Sequence, residues 1–102
     1  MSSRDIVLSP LAKDDFSDIL WYTWQRWGEG QRDRYAEKLD AALKTLSHFP
    51  NLGIVRNDLF QGCHVLNVEK HSLFYRIAEN DRVEIVRILS TQMNVDRHIF
   101  DG

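Results

Sequence analysis

Two segments near the C-terminus, residues 72–78 and 83–89, constrain the chain more than any other feature. Both are rich in β-branched and aromatic residues and only four residues separate them. The pattern predicts two antiparallel strands, with Asn80-Asp81 as a two-residue hairpin loop. Side chains alternate faces along a strand. With Glu79 paired to Arg82, Arg76 stands opposite Ile85 and Phe74 opposite Arg87. Leu73, Tyr75, Ile77, Val86 and Ile88 then share a nearly apolar face, while Phe74, Arg76, Ile85 and Arg87 share a face carrying two arginines. An earlier strand, 63–68, joins them. A turn at Lys70-His71 adds Leu66 and Val68 to the apolar face and Cys63, Val65 and Asn67 to the arginine face. Ile54-Val55-Arg56 is a shorter strand candidate.

The first half has a different period. After a short strand at Asp5-Ile6-Val7-Leu8, Ser9-Pro10 starts a helix: serine caps a free N–H, and proline lacks the N–H that would go unpaired at the first position. Leu11, Ala12, Phe16, Ile19, Leu20, Thr23 and Trp27 recur at steps of three and four and mark its core face. Gly28 and Gly30 are expected to end it. A second helix runs from Gln31 to His48, with Tyr35, Leu39, Ala42, Leu43 and Leu46 inward, and stops at Pro50-Asn51-Leu52-Gly53. The short connection predicts an antiparallel helix hairpin. A last short helix is expected from Asn94 through Ile99. The fold class is therefore α+β: a short N-terminal strand, the hairpin, then an antiparallel sheet packed on the helices, in one domain spanning 1–102.

Composition narrows the function classes. The formal net charge is −2, and proteins that live on nucleic acid usually carry a basic surplus to neutralise phosphate. The balance favours protein partners. No run approaches the roughly 18 apolar residues of a membrane span, and no apolar segment follows Met1-Ser2-Ser3-Arg4-Asp5, so the expected location is the cytoplasm. Cys63 is the single cysteine, and His48, His64, His71 and His98 show no metal-ligand spacing. Neither a metal nor a cofactor is implied.

Three blocks carry a family resemblance. The first is Leu8-Ser9-Pro10-Leu11-Ala12-Lys13-Asp14-Asp15-Phe16 with Ile19 and Tyr22. The second is Trp27-Gly28-Glu29 with Arg34-Tyr35 and Leu39. The third is Phe74-Tyr75-Arg76-Ile77 and Val83-Glu84-Ile85-Val86-Arg87-Ile88-Leu89, then Met93-Asn94. In this order they resemble the ParE/RelE toxin superfamily, and its ParE branch in particular. The chain departs from the family's pattern at Ser90, Gln92 and Asn94, where His, Arg and Asp are frequent. The resemblance implies a bacterial toxin of a type II toxin–antitoxin system. It would inhibit DNA gyrase, through the A subunit, by binding alone; it would meet DNA only indirectly and form a hetero-oligomer with a ParD-like antitoxin. No catalytic residue is then required. The runner-up is a RelE-like ribosome-dependent endoribonuclease, for which Arg56, His64, Arg76, Arg87 and His98 are the available groups; the third reading is a non-toxic binding module on the same fold.

A sheet face that mixes apolar groups with arginine is expected to be covered by a partner. Phe74, Arg76 and Arg87, with Trp21 and Trp24 at the border of the first helix's core face, are therefore the expected antitoxin contacts, tryptophan being enriched at interface centres. Met93, Arg97 and His98 in the C-terminal segment are the expected target contacts.

Overall fold

The computed structural model describes residues 3–101; Met1 and Ser2, part of the N-terminal reading above, lie outside them, as does Gly102. The order is β1 (Ile6–Leu8), α1 (Pro10–Trp27), α2 (Glu29–His48), β2 (Ile54–Val55), β3 (His64–Val68), β4 (His71–Ile77), β5 (Val83–Ser90) and a 3₁₀ turn (Arg97–Phe100). The five strands form one sheet in the order β1-β5-β4-β3-β2. β1 runs parallel to β5, and the other neighbours are antiparallel.

Ser9 does more than cap. Its Oγ accepts the Ala12 N–H at 3.0 Å and donates to the Val86 carbonyl at 2.8 Å, while its own N–H donates to the Ile85 carbonyl. The start of α1 is thereby fastened to β5. At the other end, Gly28 alone joins the two helices, at φ 88° and ψ 178°. That backbone region is essentially closed to side chains. Gly30, expected to help stop α1, instead lies in the first turn of α2, where an added Cβ would meet only the Arg34 Nη1 at 3.8 Å. The two glycines should therefore respond oppositely in urea unfolding: Gly28→Ala is expected to cost about 1–3 kcal/mol, and Gly30→Ala to stabilise by about 0.4–1 kcal/mol. Equal effects would show that the turn does not depend on the Gly28 conformation.

The β4–β5 hairpin departs from the expected register in an instructive way. Ala78 donates to Arg82 and accepts from Asp81, and Asp81 has φ 62°, so the loop has three residues, Glu79-Asn80-Asp81, rather than two. Three-residue loops with a left-handed third residue are a standard hairpin class. Ile77 pairs with Val83, and Arg76 with Glu84 rather than Ile85. A bulge between Phe74 and Tyr75 then absorbs Val86, and beyond it Phe74 faces Arg87 as expected. A bulge exchanges faces. Ile85 and Val83 accordingly lie in the helix-side core, and Val86 does not. The β3–β4 turn also sits one residue early, at Glu69-Lys70, with Val68 opposite His71. Moving a turn by one residue changes pairing by two, so the faces survive.

The main core holds Ala12, Leu46, Leu73, Tyr75, Val83, Ile85 and Ile88, with Phe16, Ile19 and Leu43 packed against it; Leu39 is also fully buried. Tyr75 turns its hydroxyl to the segment after α2, donating to the Pro50 carbonyl and accepting the Gly53 N–H, both at 2.8 Å. A Cβ on Gly53 would meet that hydroxyl at 2.7 Å, so only glycine fits there. On the other face of the sheet, Leu59, Cys63, Phe74 and Leu89 form a second cluster, covered by Phe60, Val95, Ile99 and Phe100. The chain thus covers with its own C-terminal segment the face expected to await a partner. That segment is a 3₁₀ turn capped by Asp96, whose carboxylate accepts the His98 N–H, in place of the helix expected from Asn94.

Candidate functional site

Five residues expected to contact an antitoxin fall into two groups. Phe74 is buried beneath Phe100, with ring centroids 5.3 Å apart. Arg87 is tied inward: its Nε and Nη2 donate to the two Asp15 oxygens at 2.8 and 3.0 Å, and Asp15 also accepts the Ile88 N–H at 2.9 Å. The Asp15 carboxylate raises the Arg87 pKa further, so the guanidinium stays charged and its charge is spent within the fold. Arg76 is exposed and meets Glu84 at 3.3 Å. Neither Phe74 nor Arg87 therefore presents its side chain outward, whereas Arg76 does.

Trp21 and Trp24 stand on open surface. Trp21, Tyr22, Trp24 and Trp27 are 61%, 57%, 46% and 62% exposed. Trp27, expected on the core face, is among the most exposed of them, because the helix core line ends at Thr23, whose Oγ1 donates to the Ile19 carbonyl. The three tryptophans, at three-residue steps, extend about 9 Å along the helix at its rise per residue. Exposed tryptophans of this kind are enriched at protein interfaces, and the row turns around the helix so that Trp21 and Trp24 lie on its outer face while Tyr22 and Trp27 border the groove described next.

Beside this row opens a groove of about 930 Å³ between the helix hairpin and the β3–β4 turn. Its lining includes Arg26, Arg34, Lys38 and Lys70 against Asp18 and Glu69, a net +2 in a chain of −2. Lys38 is paired with Glu69 at 2.8 Å. Arg34 is held only by the Gln31 side-chain oxygen, and among the described residues Arg26 and Lys70 meet no carboxylate. Tyr35 and His71 also line the groove, joined by a hydrogen bond between the Tyr35 hydroxyl and His71 Nδ1. Burial pushes the Tyr35 phenol up, a backbone hydrogen bond from Lys70 opposing it, and burial alone pushes His71 down. The sequence reading missed this pair: it placed Tyr35 in the α2 core and His71 in a turn, and nothing local links residues 36 apart.

His71 sets a pH dependence. Its folded pKa lies below the ordinary value of about 6.5, so the unfolded chain binds the proton more readily. Stability from this group is complete above about 6.5 and is lost as pH falls through the folded value. The urea midpoint should drop between pH 7.5 and 5.5, and His71→Gln should flatten that drop. An unchanged slope in the variant would remove His71 as the cause.

The expected target contacts, Met93, Arg97 and His98, are all exposed. His98 reaches only Asp101, at 3.2 Å. Met93 borders a second groove, about 430 Å³, with Leu52, Ile54 and Val65 on the sheet face away from the helices. Each group available for RNA chemistry has its own neighbour: Arg56 binds Asp58, His64 the Gly62 carbonyl, Arg76 Glu84, Arg87 Asp15 and His98 Asp101. Cys63 is buried, and burial pushes its thiol up to about 11, so it stays protonated. Among the described residues no group of His, Cys, Asp or Glu is placed to hold a metal, and no helix is long and apolar enough to cross a membrane.

Comparison with known proteins settles the family. Residues 6–95 match the family described as the ParE toxin of the type II toxin–antitoxin system parDE. The chain belongs to the ParE toxin family. Toxin ParE1 of Mycobacterium tuberculosis is 33% identical over 99 residues, which is 97% of this chain and 100% of the relative. Toxin ParE1 of Caulobacter vibrioides is 37% identical over 92 residues, 90% and 94% of the two chains. The ParE fold also matches solved structures: a chromosomal ParDE toxin–antitoxin system from P. aeruginosa at TM-score 0.75 and 18% identity, covering 88% of this chain and 98% of that one, and the YoeB-YefM complex from Staphylococcus aureus at TM-score 0.54 and 19% identity, covering 84% and 94%. Within a ParE chain, the Ser9-Pro10 start, the Gly28 joint and the β4–β5 hairpin described above are the three blocks whose order carried the resemblance.

Proposed function

We propose that this ParE-family chain inhibits DNA gyrase by binding it, acts in the cytoplasm and is held inactive by a ParD-like antitoxin. The observation that carries the reading is the row of exposed aromatics on α1, with a groove in which Arg26, Arg34 and Lys70 meet no carboxylate among the described residues: residue types of a protein interface. The antitoxin contacts we assign are Trp21 and Trp24 on α1, with Arg76 exposed on β4. Phe74 and Arg87 are held within the fold, by Phe100 and by Asp15. Met93, Arg97 and His98, on the sheet face away from the helices, are assigned to the gyrase contact. A binding toxin needs no acid or base, which accords with candidate groups each held by a separate neighbour.

The test is supercoiling by purified gyrase in the presence of the full chain. Inhibition is expected, relieved by the product of the neighbouring reading frame. Met93→Ala combined with Arg97→Ala should reduce inhibition while circular dichroism and antitoxin binding are retained. Undisturbed supercoiling together with cleavage of ribosome-bound messenger RNA would transfer the assignment to the RelE-like reading.

A further inference from the structure

The groove beside the aromatic row holds an excess of unsatisfied donors. Arg34 has a neutral partner only, Arg26 lies over the Trp27 ring at 5.6 Å, and Lys70 has no carboxylate among the described residues. The three cations ask for an anion. Two features say which kind. Asp18 and Glu69 line the same groove, so a continuous phosphate backbone would meet like charge along its path. A polypeptide can set single carboxylates against the cations and leave other residues beside Asp18. In addition, Tyr22 and Trp27 line the groove itself and are exposed, so one amphipathic segment can meet the cations and these two rings together.

We propose that the groove receives carboxylate side chains of the antitoxin, bound by Arg34, Lys70 and Arg26. Tyr22 and Trp27, which line the same groove, take the apolar side of the same segment. This rests on the antitoxin reading and adds the chemistry of the partner. Recognition then has two separable parts: an apolar one insensitive to salt, and an ionic one that weakens as salt screens it.

The experiment uses the full chain and, as probe, the purified small protein encoded beside it, with affinity measured by calorimetry at low and high salt. Arg34→Glu combined with Lys70→Glu is expected to weaken binding at least tenfold at low salt and to reduce the salt dependence. Circular dichroism checks the fold, and Arg34→Gln with Lys70→Gln serves if the reversed pair does not fold. Unchanged affinity in the charge variants, with loss in Trp24→Ala, would overturn the groove assignment and leave the antitoxin reading standing. No binding by the unaltered chain would overturn both. Displacement of the probe by a single-stranded oligonucleotide, abolished by the charge reversal, would assign the groove to nucleic acid and overturn the proposal.

Discussion

A chain ending at Leu89 is expected to lose cooperative folding, and not its target contact alone. Val95, Ile99 and Phe100 pack on Leu59, Cys63, Phe74 and Leu89, and the Phe100 ring meets Phe60 edge-on at 4.9 Å. Each apolar side chain taken fully from water contributes about 1.5–3 kcal/mol. The three here are half-buried, but their removal also opens Phe74, Leu89 and Cys63 to solvent. The Thr91 N–H and hydroxyl, both donating to the Lys70 carbonyl, are lost as well. The sum is several kcal/mol, against a total of about 5–15 kcal/mol for a domain. Thermal unfolding followed by circular dichroism should show a broad, early transition. A melt like that of the full chain would show that the second cluster contributes little.

Leu39→Ala is expected to cost about 2–5 kcal/mol, the range for deleting a fully buried leucine. Leu39 has no exposed surface and lies on the inner line of α2 with Leu46 and Tyr35. Leu43, expected in the same core, is only half-buried at its border, so Leu43→Ala should cost clearly less. The comparison is made by urea unfolding, reading the midpoint at constant slope. Equal losses would mean that α2 presents a different line to the sheet.

Which elements were readable in the residues follows from the range of the forces that set them. The Ser9-Pro10 helix start, the stop at Pro50 and the split of Leu66 and Val68 from Cys63 and Val65 depend on neighbours one to four residues away, and all were visible. Two local errors arose where two solutions differ little in sequence. A two-residue and a three-residue loop both suit Asn80-Asp81, and the bulge at Val86 answers to Ser9, far away in the chain. Trp27 keeps the helical period of the core face, yet the sheet beneath it has ended, and period alone does not report where a partner layer stops. The candidate surface was half legible. Trp21 and Trp24 stood out by type and spacing. Phe74 and Arg87 were misplaced outward because the segment 95–100 and Asp15, which claim them, are 21 or more residues distant. The Tyr35–His71 pair and the cations around it belong to tertiary structure alone.

The fastening of β1 to β5 has a consequence for the life of the chain. Residues 6–8 find their partners only at residues 83–85, and the core that α1 helps to close is completed at Ile88. Contacts of such separation are slow to form, because the intervening chain must surrender its freedom before they return anything. During synthesis the helix hairpin emerges first, with its apolar side uncovered, and waits for the last strand. Folding is then gated by the emergence of β5, and a chain interrupted before it holds a hairpin without the sheet face that carries Met93.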